Sequence, residues 1–480
     1  MDRSTQVLVI GGGPAGSTAA ALLAREGINV TLMEKAVFPR YHIGESLLPS
    51  CLTILDLLGA KEKVDEYGFQ LKRGGYADWG GETWDITFGG LNESEENYSY
   101  HVLRADFDQL LLEHAKSQGV TVLEGAEVKQ LKFDGARPQT AIWSPTSQDD
   151  RAQTREIGFD FLIDASGRAG VMTTRHLRAR RYHAVFKNIA VWGYWDGAKK
   201  LPVGPEGAIA ICSVPDGWFW GIPLHDGKLS VGLVTHKEIF QVKRQKGASY
   251  ERIYREAIDE CPVITDLLAS AEQVTPLRIE QDYSYTAERF TGPGYFLVGD
   301  AACFLDPLLS TGVHLAMYSA TLAAASLASL LRGEVTEQEA ENHYEQRYRQ
   351  AYLRLLVIVS SMYQRYRGKE SYFWEAQRLT LNDCSPTDLK QAFVNIVSGI
   401  EDLRDAQATL DRTMEIVSKM DARDTAKSFD SMSSEEREAM QARMQFMEST
   451  TMGDLVSHSK AAKRHYLVTK PRLGLVHHGS

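Results

Sequence analysis

The chain opens on a short apolar run, Gln6 to Ile10, rich in β-branched residues and closed by glycine. Unbroken apolar character over so few positions predicts a buried parallel strand. A small-residue helical stretch follows, ended by Gly27, and then a second apolar run from Ile28 that finishes at Glu34. Strand, turn, helix and strand in that order predict an α/β architecture. Residues 103–116 repeat apolar positions at helical spacing, Val120–Gly125 predicts a strand, and Phe159–Gly167 predicts a strand running into a glycine turn. Segment 144–156 is polar and predicts a loop or hairpin tip. Between 188 and 236 the pattern changes to four strand-like runs separated by Gly, Pro and Asp, which predicts an antiparallel sheet. Gly294–Asp300 returns to a buried strand. Pro307–Leu331 then carries no Asp, Glu, Lys or Arg for 25 residues. That is long enough to span a bilayer, but its Ala, Ser and Thr content and His314 predict a buried core helix instead. From about 335 the chain is charged, Gly-poor and helical in period, most densely charged over 400–450, with a break at 385–388 and an unstructured end.

A length of 480 residues is compatible with about three domains. Hydrophobic residues at 43% and charged residues at 24% exclude disordered, collagenous and coiled-coil classes. Acidic residues number 63 against 53 basic, a net charge of −10 that disfavours a nucleic-acid binder. The five cysteines (51, 212, 261, 303 and 384) come no closer than 42 positions, so no metal-type spacing exists. An odd, dispersed set, without a signal peptide, suits a reducing cytoplasm.

The first chemical motif is Gly11-x-Gly13-x-x-Gly16, between a strand and a helix. Gly11 permits the tight turn, Gly13 lets backbone approach a pyrophosphate, and Gly16 allows close helix packing. Glu34 follows at a strand end, at the distance where an acid accepts from ribose hydroxyls. Asp300, in Val298-Gly-Asp-Ala-Ala302, opens the long apolar helix, whose start favours anionic groups. Together with Asp164-Ala-Ser-Gly-Arg168, these motifs resemble the flavoprotein monooxygenase superfamily. The resemblance implies FAD rather than NAD and lends a flavin contact to Arg104. No second glycine motif offers a place for NAD(P)H.

Gly217-Trp218-Phe219-Trp220-Gly221-Ile222-Pro223 matches the W-x-W-x-I-P pattern of flavin-dependent halogenases. Two tryptophans two apart on a strand share a face. The resemblance extends over about residues 5–380. Phe38–Pro49, with Arg40, His42, Glu45 and Ser46, is similar to that family's segment beside the flavin. Leu71-Lys72-Arg73-Gly-Gly75 is similar to its catalytic-lysine segment, and Asp306–Val313 to its halide segment. Asp282–Tyr285 and Glu370–Trp374 resemble the subgroup acting on phenolic and pyrrolic rings, nearest to tyrosyl halogenases of nonribosomal peptide assembly.

The resemblance implies a Rossmann-like FAD-binding domain (1–185 and 280–350), an inserted, mostly antiparallel substrate domain (186–279 with 70–100) and a C-terminal helical region (351–480). It implies that reduced FAD (FADH2) and O2 form a C4a-hydroperoxide, and that chloride takes its distal oxygen as hypochlorous acid. Gly11, Gly13, Gly16, Glu34, Arg40, Ser46, Arg104, Asp300 and Gly312 would hold FAD, and Ser310, Thr311 and Gly312 the halide; a plain helix cap also explains that turn. Lys72 would direct the oxidant, although a lysine in a Lys-Arg pair is ordinarily a solvated surface residue. Trp218 and Trp220 would fill the route between flavin and substrate. Tryptophan halogenases carry a glutamate where Leu309 stands, so the departure favours a phenol or pyrrole over free tryptophan. FADH2 would come from a separate flavin reductase. The basic run Arg175–Arg181 is a candidate for steering a substrate tethered to an anionic carrier protein; a solvated loop explains it equally. The alternatives are a single-component aromatic hydroxylase and a non-catalytic FAD-binding scaffold.

Overall fold

The structure, a computed structural model, describes residues 4–88, 98–147, 153–364 and 465–477. The apolar run at the start forms β1 (Ser4–Ile10), flanked on both sides by parallel strands: β2 (Val30–Glu34) and the strand Arg155–Asp164. Ile10 pairs with Asp164 on one side and with Met33 on the other, so three strand ends finish level. The chain leaves β1 through Gly11 (φ +106°) into helix α1 (Pro14–Arg25), with proline in the first turn, where its missing N–H costs nothing. A Cβ on Gly16 would lie 1.8 Å from the Gly11 carbonyl oxygen, so the turn closes only around glycine there.

Helix Gly312–Leu331 is long and apolar enough to cross a membrane, yet 89% of its apolar window is buried inside the protein, as its small residues predict. Ala320, Ala323, Ala324 and Ala328 are fully buried and let it pack closely against α1 and helix Glu337–Gln364.

A second, nine-stranded sheet contains the four runs expected between 188 and 236, and the hairpin Gly74–Trp79 and Glu82–Thr87 extends it. It is antiparallel except where Ile209–Val214 meets Gly74–Trp79. Strand Gly217–Pro223 is buried on both faces. Trp218, Trp220 and Ile222 join the main core, whereas Phe219 joins a second core beneath helices Lys237–Gln245, Tyr250–Asp259 and Pro262–Leu267. These three helices were not anticipated. The signal was present: Ser249 caps the second of them by accepting from Arg252 N at 3.1 Å, and Ile253, Tyr254, Ala257 and Ile258 form its buried stripe.

The helical pattern expected beyond 351 does not hold to the end. His465–Val468 and Gly474–His477 pair as an antiparallel hairpin. It is seated by Leu473 and Leu475, both buried. Leu475 N donates to Ser329 Oγ at 2.8 Å and Leu473 N to Glu26 Oε1 at 3.0 Å. The charged stretch 400–450, the break at 385–388, Glu370–Trp374 and Cys384 lie outside the described residues.

Truncating Leu475 to alanine is expected to cost about 2–4 kcal/mol in denaturant unfolding, the range for a buried leucine. Tyr466→Ala, on the exposed side of the same hairpin, is expected to stay within about 0.5 kcal/mol.

Candidate active site

A cavity of about 500 Å³ lies where the ends of the parallel strands face the second sheet. Gly11, Gly13, Glu34, Arg40, Arg104 and Asp300 line it on the parallel side. Glu34 braces the glycine turn: its Oε2 accepts from Gly12 N at 2.7 Å and its Oε1 from Ala36 N at 2.8 Å. Arg104 grips buried Asp108 through two hydrogen bonds (2.8 and 2.9 Å), and Arg40 pairs with the same carboxylate at 3.0 Å. Arg104 Nη1 also donates to the Ile43 carbonyl at 2.8 Å, fixing the segment before Glu45.

A dinucleotide fits this wall. A Cβ on Gly13 would approach only the Arg40 guanidinium, at 3.3 Å, and one on Gly312 would meet nothing within 4 Å. Two bare backbone edges, an arginine and the first turn of a twenty-residue helix therefore face one space, as a pyrophosphate requires.

The opposite wall is aromatic. Trp192, Trp218 and Trp220 line it, with ring centroids 6.3 Å (Trp192–Trp220) and 6.2 Å (Trp218–Trp220) apart. Trp218 Nε1 donates to Tyr363 Oη at 2.8 Å, and that hydroxyl lies 3.1 Å from both oxygens of buried Asp306. Asn188 Nδ2 donates to Asp306 as well, at 3.0 Å. The same carboxylate accepts from Leu308 N at 3.0 Å and so caps the turn Pro307–Leu309. Ser310 follows in the left-handed region (φ +58°). Ser310 and Gly312 line the cavity. Thr311 does not; it is buried, and its hydroxyl makes no hydrogen bond. Leu309 is buried too. Trp220 lies flat on its cross-strand partner: a Cβ on Gly232 would fall 2.0 Å from the indole.

Lys72 is only 2% exposed, whereas its neighbour Arg73 points outward to Glu206. Its strand, Gln70–Lys72, pairs with Ser99–His101. Lys72 Nζ donates to Ser46 Oγ at 2.8 Å and to the Leu47 carbonyl at 2.9 Å, and sits 5.1 Å from the centre of the Phe88 ring. Neither acceptor is charged, and burial pulls the amine down from 10.5 to about 7. Lys72 itself does not line the large cavity, but Ser46 does, so the amine stands one hydroxyl behind the wall.

Arg40, His42 and Glu45 all line the cavity but turn to different partners. Arg40 goes to Asp108, His42 Nδ1 meets the Ile43 carbonyl at 2.6 Å, and Glu45 turns to the second sheet, where Tyr194 donates to it at 2.6 Å. Nor is Arg175–Arg181 a single free patch. Arg175 lines the cavity, Arg180 donates to the Arg168 carbonyl at 2.7 Å and covers the Tyr285 ring, and Arg181 pairs with Glu288. Sequence reasoning missed Trp192 and Tyr363. Trp192 shares its strand face with Tyr194 by simple alternation. Tyr363, 145 residues from Trp218, gave no local sign. Among the described residues no metal-ligand cluster exists, and the four described cysteines are free.

A dinucleotide cradle at the ends of a parallel sheet, roofed by a sheet carrying indoles, defines a flavoprotein oxidoreductase. The comparisons narrow the class. A family model described as tryptophan halogenase matches residues 6–97 and 90–411. The chain is 49% identical over 413 residues to the tryptophan 2-halogenase of Chondromyces crocatus, spanning 85% of this chain and 78% of that protein. It is 38% identical over 393 residues to the sulochrin halogenase of Aspergillus terreus, spanning 77% and 71%. Among solved structures it is similar to the myxobacterial chondrochloren halogenase CndH (TM-score 0.74, 35% identity, 86% of this chain and 98% of that one). It is also similar to the flavin-dependent halogenase CmlS (TM-score 0.72, 31% identity, 98% and 80%). The chain belongs to the flavin-dependent halogenase family, and is an FAD-dependent enzyme using a halide.

Two outcomes follow from this geometry. Gly232→Ala must displace Trp220, costing about 1–3 kcal/mol and shifting tryptophan emission; an unchanged spectrum and melting point would contradict the contact. For Lys72, the native amine loses its proton near pH 7 while the unfolded one keeps it to about 10.4. The unfolded state then binds the extra proton between those values, so stability rises with pH across that window, and below it the burial penalty is felt in full. Lys72→Met is therefore expected to raise the melting temperature more at roughly pH 6 than at roughly pH 10, by about 5 °C or more. Equal effects at both pH values would show an ordinary amine.

Proposed function

We propose that the protein chlorinates an electron-rich aromatic ring, with Lys72 as the group that presents the oxidised halogen to the substrate. The observation that carries this is the placement of Lys72: an almost fully buried amine, hydrogen-bonded only to neutral oxygens, one hydroxyl behind the cavity wall at Ser46. Bound reduced FAD supplies, with O2 and halide, a small oxidised halogen species. The chain's residues do the rest. Gly11, Gly13, Gly16, Glu34, Arg40, Ser46, Arg104, Asp300 and Gly312 hold the cofactor. The turn Ser310-Thr311-Gly312 offers backbone N–H groups to the halide. Trp218 and Trp220 exclude the organic substrate from the cofactor's side, so only the small oxidant crosses. An amine titrating near 7 is split between ammonium, which donates a hydrogen bond to hypohalous acid, and free amine, which attacks it.

The substrate is a phenol, with a tyrosyl group on a carrier protein as the specific form. The support is Leu309, an apolar side chain where tryptophan halogenases carry glutamate: a phenol oxygen donates its own electron density and needs less help. A second substrate is favoured by one finding, the 49% identity to a protein named tryptophan 2-halogenase, which points to an indole. A separate flavin reductase delivers FADH2, because the chain carries one glycine-rich dinucleotide turn. Buried free cysteines suit a reducing compartment.

The test is mass spectrometry of products from the enzyme with a flavin reductase, FAD, NADH and chloride, offered tryptophan, tyrosine or tyrosyl-loaded carrier protein. A product with the chlorine isotope pattern is expected, and Lys72→Ala is expected to lose it by about 10²-fold or more while still binding FAD. Gain of one oxygen instead would mean a hydroxylase, and full activity of Lys72→Ala would remove the amine from the mechanism.

A further inference from the structure

Glu45 is 2% exposed, lines the cavity and belongs to none of the cofactor-binding groups named above. Its two oxygens differ. Oε1 accepts from Tyr194 Oη at 2.6 Å, whereas Oε2 is buried and makes no hydrogen bond. Tyr194, itself buried, stands 3.0 Å from the hydroxyl of Tyr41. Tyr41 accepts from Trp192 Nε1 at 2.7 Å, is 43% exposed, and lies under the guanidinium of the exposed Arg278, 3.7 Å from the ring centre. A carboxyl and two phenols thus make a continuous hydrogen-bonded line between two residues of the cavity lining, Glu45 and Tyr41, the second of them partly open to solvent.

Burial keeps the two phenols of this line neutral and leaves its carboxyl poised near neutrality. Burial pushes the Glu45 carboxyl up to about 7, against the pull of Tyr194, Ser230 and the Arg104 charge and with the push of Asp226. Burial, chiefly, holds Tyr194 well above a phenol's usual range, with Glu45 and Tyr41 adding to it. Burial also raises Tyr41, against the pull of Tyr194, Trp192 and Arg278. Both phenols therefore stay protonated at neutral pH and hand protons on without storing charge.

Halogenation gives such a line something to carry. Converting an aryl C–H, a halide anion, FADH2 and O2 into an aryl halide, FAD and two waters balances in atoms and charge only if one further proton is taken up. We propose that Glu45, Tyr194 and Tyr41 form the conduit that brings this proton from solvent into the cavity. The carboxyl O–H of Glu45 breaks to give its proton up to the cavity as the Tyr194 proton passes to Oε1. Tyr41 reprotonates Tyr194, and water reprotonates Tyr41. This rests on the proposed halogenation, because it is the halide that creates the proton deficit.

The experiment compares wild type, Glu45→Gln, Glu45→Ala, Tyr194→Phe and Tyr41→Phe at saturating FAD, reading halogenated product across pH. Wild type must first give halogenated product; if it does not, the proposed function fails rather than the conduit. Glu45→Gln is expected to lose on the order of 10²-fold in kcat, and each phenylalanine variant at least about tenfold. Formate is expected to restore Glu45→Ala, because a small acid replaces the missing carboxyl. In the infrared, the protonated-carboxyl band lost in Glu45→Gln is expected to titrate near neutrality in wild type and to move in Tyr194→Phe. Wild-type rates in the phenylalanine variants would overturn the conduit. So would a loss in Glu45→Ala that formate leaves untouched, which would mean packing alone.

Discussion

A lysine amine held out of water without a counter-ion is the constraint on which the rest of this structure turns. Taking an ammonium from solvent is expensive, and a serine hydroxyl and one carbonyl do not repay it. The site resolves the cost by letting the amine release its proton within the physiological range. Everything around Lys72 serves that outcome. Phe88 offers a ring face, and His101, which burial foremost keeps well below its ordinary value, stays uncharged at its side. Arg73, next in sequence, takes the strand's solvent side. A carboxylate in contact would restore full charge.

The indole wall is a mechanical extension of the turn before helix Gly312–Leu331. Asp306 receives the Tyr363 hydroxyl, the Asn188 amide and the Leu308 backbone N–H. Through Tyr363 it also orients Trp218. One buried carboxylate therefore sets both the Trp218 ring and the backbone that precedes Ser310. The ring and the turn belong to different elements, yet a shift in one is felt by the other because they share an acceptor.

Much of this was legible in the chain and some of it was not, for separable reasons. The parallel strands declare themselves because burial on both faces demands unbroken apolar runs. Gly11 and Gly16 declare themselves because sterics leave no other residue possible. Helices Lys237–Gln245 and Tyr250–Asp259 went unseen inside a region dominated by strand alternation, although their stripes are regular. Lys72 carried no inward signal of its own: in Gln70-Leu-Lys-Arg73 nothing local says which side faces the core, and only family resemblance pointed there. Tyr363 and Glu45 acquire meaning from partners 145 and 149 residues away, beyond any periodicity. The closing hairpin is held by two leucines and a few backbone bonds to side chains, too little pattern to stand out beside a long charged stretch.

The contact between Trp220 and Gly232 has an evolutionary corollary. Because the indole occupies the space a methyl group would need, the two positions are a single steric unit divided between neighbouring strands. Residue 232 cannot grow alone: a lineage that enlarges it must first shrink residue 220, and so pass through an ancestor with a gap in the wall. Change at this pair would come in jumps rather than by gradual reshaping.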